Sequence, residues 1–195
     1  MWRLMRLLFA VLLSLSIVLP AQAAWYLDNE SSRLSFISTK NLDSSEVHRF
    51  LTLHGMVSDS GKASLRVELE SVSTGVSLRD ERMRTLLFDI DKFPQATVSA
   101  QLDVRPIDTL AAGAQLELSL PLTLTLHGKS QTYTAELLAT RLDDHRFQVV
   151  TLAPLVLNAG NFDLVKGLDA LRKIAGLSAI SRSVPVGAVL IFTRR

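Results

Sequence analysis

From Trp25 onward, hydrophobic and polar positions alternate in steps of two, the period of strands with one buried face. The clearest case is residues 115–126, where Leu116, Leu118, Leu120, Leu122, Leu124 and Leu126 alternate with Gln115, Glu117, Ser119, Pro121, Thr123 and Thr125. A helix would scatter these leucines around its circumference, because its turn does not accommodate steps of two. Pro121 removes a ladder hydrogen bond, so this strand is predicted to bend there or to lie at an edge. Shorter runs repeat the pattern: Leu34 and Phe36; Leu51, Leu53 and Val57 across Gly55; Val67 and Leu69; Val98, Ala100, Leu102 and Val104. Residues 131–140, 146–157 and 184–193 follow it too. Turn chemistry separates the runs at Ser58-Asp59-Ser60-Gly61, Pro106 to Gly113, His127-Gly128-Lys129 and Asp143-Asp144. About eight strands at this spacing predict an all-β antiparallel barrel or sandwich. No repeat or linker divides it.

Two segments break the alternation. Residues 76–93 carry Arg79-Asp80-Glu81-Arg82-Met83-Arg84, too charged for a strand with a buried face, and predict a helical turn or two before Pro94. Residues 161–177 place Leu164, Leu168, Leu171 and Ile174 on one helical stripe, with Lys166, Arg172 and Lys173 toward water. Asn161 or Asp163 can cap its start and Gly176 can close it. The expected helices therefore span about 78–92 and 162–175.

Composition changes this picture mainly at the N-terminus. Arg3 and Arg6 precede an apolar run from Leu7 to Leu19, Pro20 breaks it, and Ala21-Gln22-Ala23 offers a small-x-small cleavage pattern. Residues 1–23 are read as a signal peptide cleaved after Ala23, and 24–195 as one domain exported to a bacterial periplasm. The apolar run is shorter than the roughly 20 residues of a spanning helix. The chain of 195 residues has no cysteine and a net charge of +2. Without Arg3 and Arg6, its 21 basic side chains fall to the number of its 19 acidic ones. That balance, with no basic run, excludes the footprint of a nucleic-acid binder. An outer-membrane barrel shares the strand period. The aromatic residues here do not form girdles, however, and a charged amphipathic helix precedes the last strand.

Catalytic chemistry is thinly represented. His48, His54, His127 and His145 form no close metal-ligand pair and read best as surface or turn histidines. No glycine-flanked nucleophilic serine and no phosphate-binding glycine loop is present. Asp89/Asp91 and Asp143/Asp144 read as loop and turn residues. No motif calls for a cofactor or a metal, and nothing argues for an enzyme.

One combination is distinctive: Val72-Ser73-Thr74-Gly75, Arg79-Asp80, Met83-Arg84, Phe88, Phe93-Pro94 and Val98-Ser99, with Leu53-His54-Gly55 before and Leu124-Thr125 to Gly128 after. At these spacings the chain resembles the YceI-like family across essentially the whole of 24–195. Leu122 stands where that family commonly has glycine, Met83 where leucine is usual, and 158–182 is a longer helix-rich stretch. The resemblance implies an extended lipocalin-like barrel whose apolar tunnel holds a polyisoprenoid or another long-chain amphiphile. The residues agree, because a barrel of about eight strands can either fill with side chains or hold a ligand. Leu and Val dominate its inward positions, with few bulky aromatics. The expected wall is Leu53, Val67, Leu69, Val98, Ala100, Leu118, Leu120, Leu122, Leu124 and Leu190. Arg79 and Asp80 are expected to hold 76–93 against the barrel; the alternative puts Arg79 at the mouth, facing a phosphate or quinone head group. A filled barrel serving as an interaction module is the rival to a lipid carrier. Oligomeric state stays open, a dimer included.

Overall fold

The structure is a computed structural model and describes residues 24–194. The expected signal peptide, residues 1–23, lies outside these residues. The chain runs through β1 (Trp25–Leu27), β2 (Arg33–Lys40), β3 (Ser44–Phe50), β4 (Leu53–Val57), β5 (Lys62–Glu68) and β6 (Val72–Ser73). After a helical insertion come β7 (Gln95–Gln101), β8 (Gln115–Leu126), β9 (Lys129–Asp143), β10 (Arg146–Thr151), β11 (Leu155–Asn158) and β12 (Ser183–Arg194). Four successive pairs are halves of one strand path each: β1 with β2, β3 with β4, β5 with β6, and β10 with β11. The result is a closed antiparallel barrel of 8 strands: the alternation leaves barrel or sandwich open, and the barrel is the form the resemblance implies. β12 is the seam. It pairs with β10 and β11 along one edge and with β1 and β2 along the other.

Side chains bridge the broken paths so that backbone groups keep partners. Ser71 Oγ accepts from the amides of Leu51 (3.1 Å) and Thr52 (3.0 Å) where β3 passes into β4. Asn29 Oδ1 accepts from the Leu53 amide at 2.7 Å. Gly61 closes the β4–β5 turn with φ +79°, and a Cβ there would lie 1.9 Å from Leu102 O. Pro121 is tolerated for the expected reason. β7 pairs with β8 only over Leu122–Thr125, so Pro121 lies on a local edge, while β9 pairs with the full strand.

The helical insertions cover the ends. α1 (Ser77–Arg82) continues into a π turn, Met83–Leu87. α2 (Arg105–Asp108) is a single turn that opens the segment read as a turn from Pro106. α3 (Val165–Ile174) lies against the π turn: a Cβ on Gly167 would sit 2.5 Å from Leu86 O and 2.7 Å from Leu87 Cα. Leu164 is buried, and Leu168 and Leu171 pack against the same core. Gly176 ends α3 with φ +64°, its amide bonding Lys173 O while the Leu177 amide bonds Arg172 O, a Schellman closure.

Several local expectations need correction. Asn161 and Asp163 do not cap α3, whose N-cap is Leu164 without a side-chain bond; Asn158 instead caps the 3-10 turn Ala159–Phe162. Ile174 is exposed and leaves the apolar stripe. Leu51 is exposed at the β3–β4 break, and Leu69 is buried on a 3-10 turn (Leu69–Ser71) rather than in a strand. Leu102 and Val104 follow the end of β7. β3 is an element the alternation did not reveal. Its inward positions are Glu46, His48 and Phe50, while Val47 is 69% exposed.

Candidate functional site

The barrel encloses a cavity of about 640 Å³, within the ~300–1,000 Å³ typical of small-molecule pockets. Because β8 keeps strict alternation, every second side chain from Leu118 to Leu126 reaches its wall. Val67, Leu69, Val98, Ala100, Leu118, Leu120, Leu122, Leu124 and Leu190 all line it, and so does Arg79. Leu53 does not. It is among the most fully buried side chains, packed in the core.

Sequence reasoning missed two parts of the wall. The first is aromatic: Trp25, Phe36, Phe50, Phe88, Phe147 and Phe162 all contribute, so the interior is richer in rings than expected. At one end Trp25 and Phe147 meet edge to face at 4.7 Å and join Phe192 in a separate cluster, with Ile107 and Leu110 packed on it. The second is polar. Lys40, Glu46, His48, Arg79 and Arg82 gather on the cavity wall around β2, β3 and α1. Only an inward reading of the polar strand 44–50 could have found Glu46 and His48, and the sequence there has the polarity of a loop.

The polar group is tightly wired. Glu46 Oε1 accepts from Lys40 Nζ at 2.7 Å and Glu46 Oε2 from Arg79 Nη1 at 2.6 Å. The bond from Lys40, reinforced by Arg79, holds the Glu46 carboxyl below the usual carboxylate range against the opposing effect of burial. Arg79 also donates from Nε to Thr74 Oγ1 (2.8 Å) and from Nη2 to Thr74 O (2.7 Å). Asp80 Oδ1 accepts from the Thr74 amide (2.8 Å) and hydroxyl (2.5 Å). The Arg79-Asp80 pair thus fastens α1 to the end of β6. His48 is 4% exposed, stacked edgewise on Phe36, with Nε2 3.7 Å from Glu46 and Nδ1 buried without a hydrogen-bond partner. Burial, and after it the charge of Arg79, push its pKa below 6.5. His48 is thus a core residue, against the surface reading. His127 does sit at a turn, with Nδ1 3.1 Å from Phe162 O.

A closed up-and-down barrel with a largely apolar cavity and one polar end has the architecture of a lipocalin-like barrel. The YceI-like domain matches residues 25–192, and this chain belongs to the YceI-like family. A polyisoprenoid binding domain from Saccharophagus degradans, implicated in plant cell wall breakdown, is 36% identical, with a TM-score of 0.86 over 89% of this chain and 99% of that one. BcnA of Burkholderia cenocepacia is 18% identical, with a TM-score of 0.65 over 85% and 98%. A Campylobacter jejuni YCEI protein is 12% identical, with a TM-score of 0.55 over 76% and 84%; these last two speak to the fold alone. No curated protein matches the chain. Among the described residues, no helix is long and apolar enough to cross a membrane.

Proposed function

We propose that this protein binds and carries a long-chain apolar lipid, a polyisoprenoid or a quinone with such a tail, in the periplasm. The apolar cavity of about 640 Å³ carries this reading, because a barrel filled as an interaction module would have packed that space with side chains. The polyisoprenoid binding domain at 36% identity supports the ligand class, and the leader at residues 1–23 supports export. Each five-carbon unit taken from water gains about 3–4 kcal/mol before ordering costs, so tight binding needs no reacting group. Leu118, Leu120, Leu122 and Leu124 offer a continuous rail for the chain, flanked by Val98 on the neighbouring strand and Val67 one strand further on. Binding rather than catalysis is the activity proposed.

Native mass spectrometry on protein purified without detergent, followed by organic extraction, tests this. The expected result is a lipid adduct recovered unchanged. A homogeneous apo mass with no uptake of labelled prenyl lipid would instead favour the filled barrel, and turnover of the added lipid an enzyme.

A further inference from the structure

The polar end of the cavity is unequal in charge. Lys40 and Arg79 are committed to Glu46, and Arg79 to Thr74 as well. Asp80 is held beside them by Thr74. Arg82 is different. Half-buried on the cavity wall, it makes no hydrogen bond or ion pair, the one cation lining the cavity of which this is true among the described residues. Arg82 is therefore a cation left without a partner at the edge of an apolar space. An arginine in such a position presents a planar fork of donors suited to an oxyanion. The orphaned His48 Nδ1 marks the same end as incompletely satisfied. At the opposite, aromatic end Asp108 lies on the wall, and the guanidiniums there, Arg141 and Arg194, are stacked on the Phe147 and Trp25 rings rather than left free.

We infer that the ligand enters with its chain toward the Trp25–Phe147 end and its head at Arg82, and that this head carries one negative charge, as a carboxylate does. A diphosphate brings more charge than one unpaired guanidinium can match and would lie close to the Glu46 carboxylate. A plain alcohol leaves Arg82 unpaired. This assignment rests on the lipid-holding reading above and adds the class of head group to it.

The test is competitive uptake by the full chain of four probes with comparable prenyl chains: geranylgeranoic acid, geranylgeraniol, geranylgeranyl phosphate and geranylgeranyl diphosphate. Squalene serves as a chain without a head. The acid is expected to bind about tenfold more tightly than the alcohol, the effect of one charge-assisted hydrogen bond. Arg82→Gln should bring that ratio close to one, and Arg82→Lys should keep most of it. Because the readout is a ratio between ligands, a general loss of binding does not imitate the result. Equal affinity of the wild type for acid and alcohol would overturn the assignment. So would an unchanged ratio in Arg82→Gln, or tightest binding of the phosphate or the diphosphate. Failure to take up any probe, squalene included, removes the lipid-holding reading itself and the head-group assignment with it.

Discussion

At the scale of single residues, Asp80 holds the strand-to-helix junction by accepting both the amide and the hydroxyl of Thr74. Replacing it with Ala leaves a part-buried amide without its acceptor and loosens the threonine that Arg79 also grips. Asp80→Ala is expected to lower stability by about 1–3 kcal/mol, read from the denaturant midpoint. His48 makes a second prediction. Its folded pKa lies below 6.5, so the native state holds it neutral while the unfolded chain takes up a proton near that value. Stability is therefore fully present above about pH 6.5 and falls as pH drops toward the folded pKa, by at most about 1.4 kcal/mol per pH unit. Glu46 and Asp80 pull this pKa up, whereas burial, Arg79 and Lys40 hold it down. Glu46, lowered from 4.5, adds its own loss only at more acidic pH. Melting temperatures at pH values on both sides of this window should show the drop in the wild type and its removal in His48→Gln.

At the scale of elements, α3 is placed by absence of a side chain. Gly167 lets the helix approach the π turn until a Cβ would collide with Leu86 O and Leu87 Cα, both backbone atoms that cannot swing aside. Gly167→Ala should improve intrinsic helix propensity by about 1 kcal/mol and yet destabilise the protein by about 1–3 kcal/mol. Faster amide exchange is expected over Val165–Ile174 and Met83–Leu87 together; a stabilised variant would contradict this account of the contact. The same scale shows what the sequence makes legible. β8 is read almost residue by residue, because its leucines face one cavity and its polar residues face water. α3 is read from its stripe, but not its start, because Leu164 begins the helix with no polar cap at all. β3 is missed because its pattern is inverted: Glu46 and His48 point in, and Val47 points out. Strand patterning assumes an apolar interior, and it fails where the inward positions are polar.

For the whole molecule, the question is whether the cavity is a consequence of barrel geometry or a space kept for a ligand. Eight strands enclose room that side chains can fill, and alanines hold some of it open here: Ala96, Ala135 and Ala139 are buried, and Ala100 stands on the wall. Larger side chains at such positions would gain apolar burial, so a chain shaped by stability alone would be expected to use them. Ala100 sits opposite Leu122 in the β7–β8 register, on the wall it shares with Val98 and Leu124, and its substitution leaves the distant cluster of Glu46 and Arg79 intact. Ala100→Trp should therefore occupy the path of a bound chain without breaking a hydrogen bond. The expected outcome is an unchanged or raised melting temperature together with at least tenfold weaker uptake of a long prenyl lipid, measured by native mass spectrometry, while a short prenyl probe loses less. If Ala100→Trp melts well below the wild type, the space is needed by the fold, and the opposition between filling the barrel and binding a chain is the wrong one. If it melts normally and still takes the long lipid at full affinity, the chain does not pass Ala100, and the rail from Leu118 to Leu124 is not where it lies.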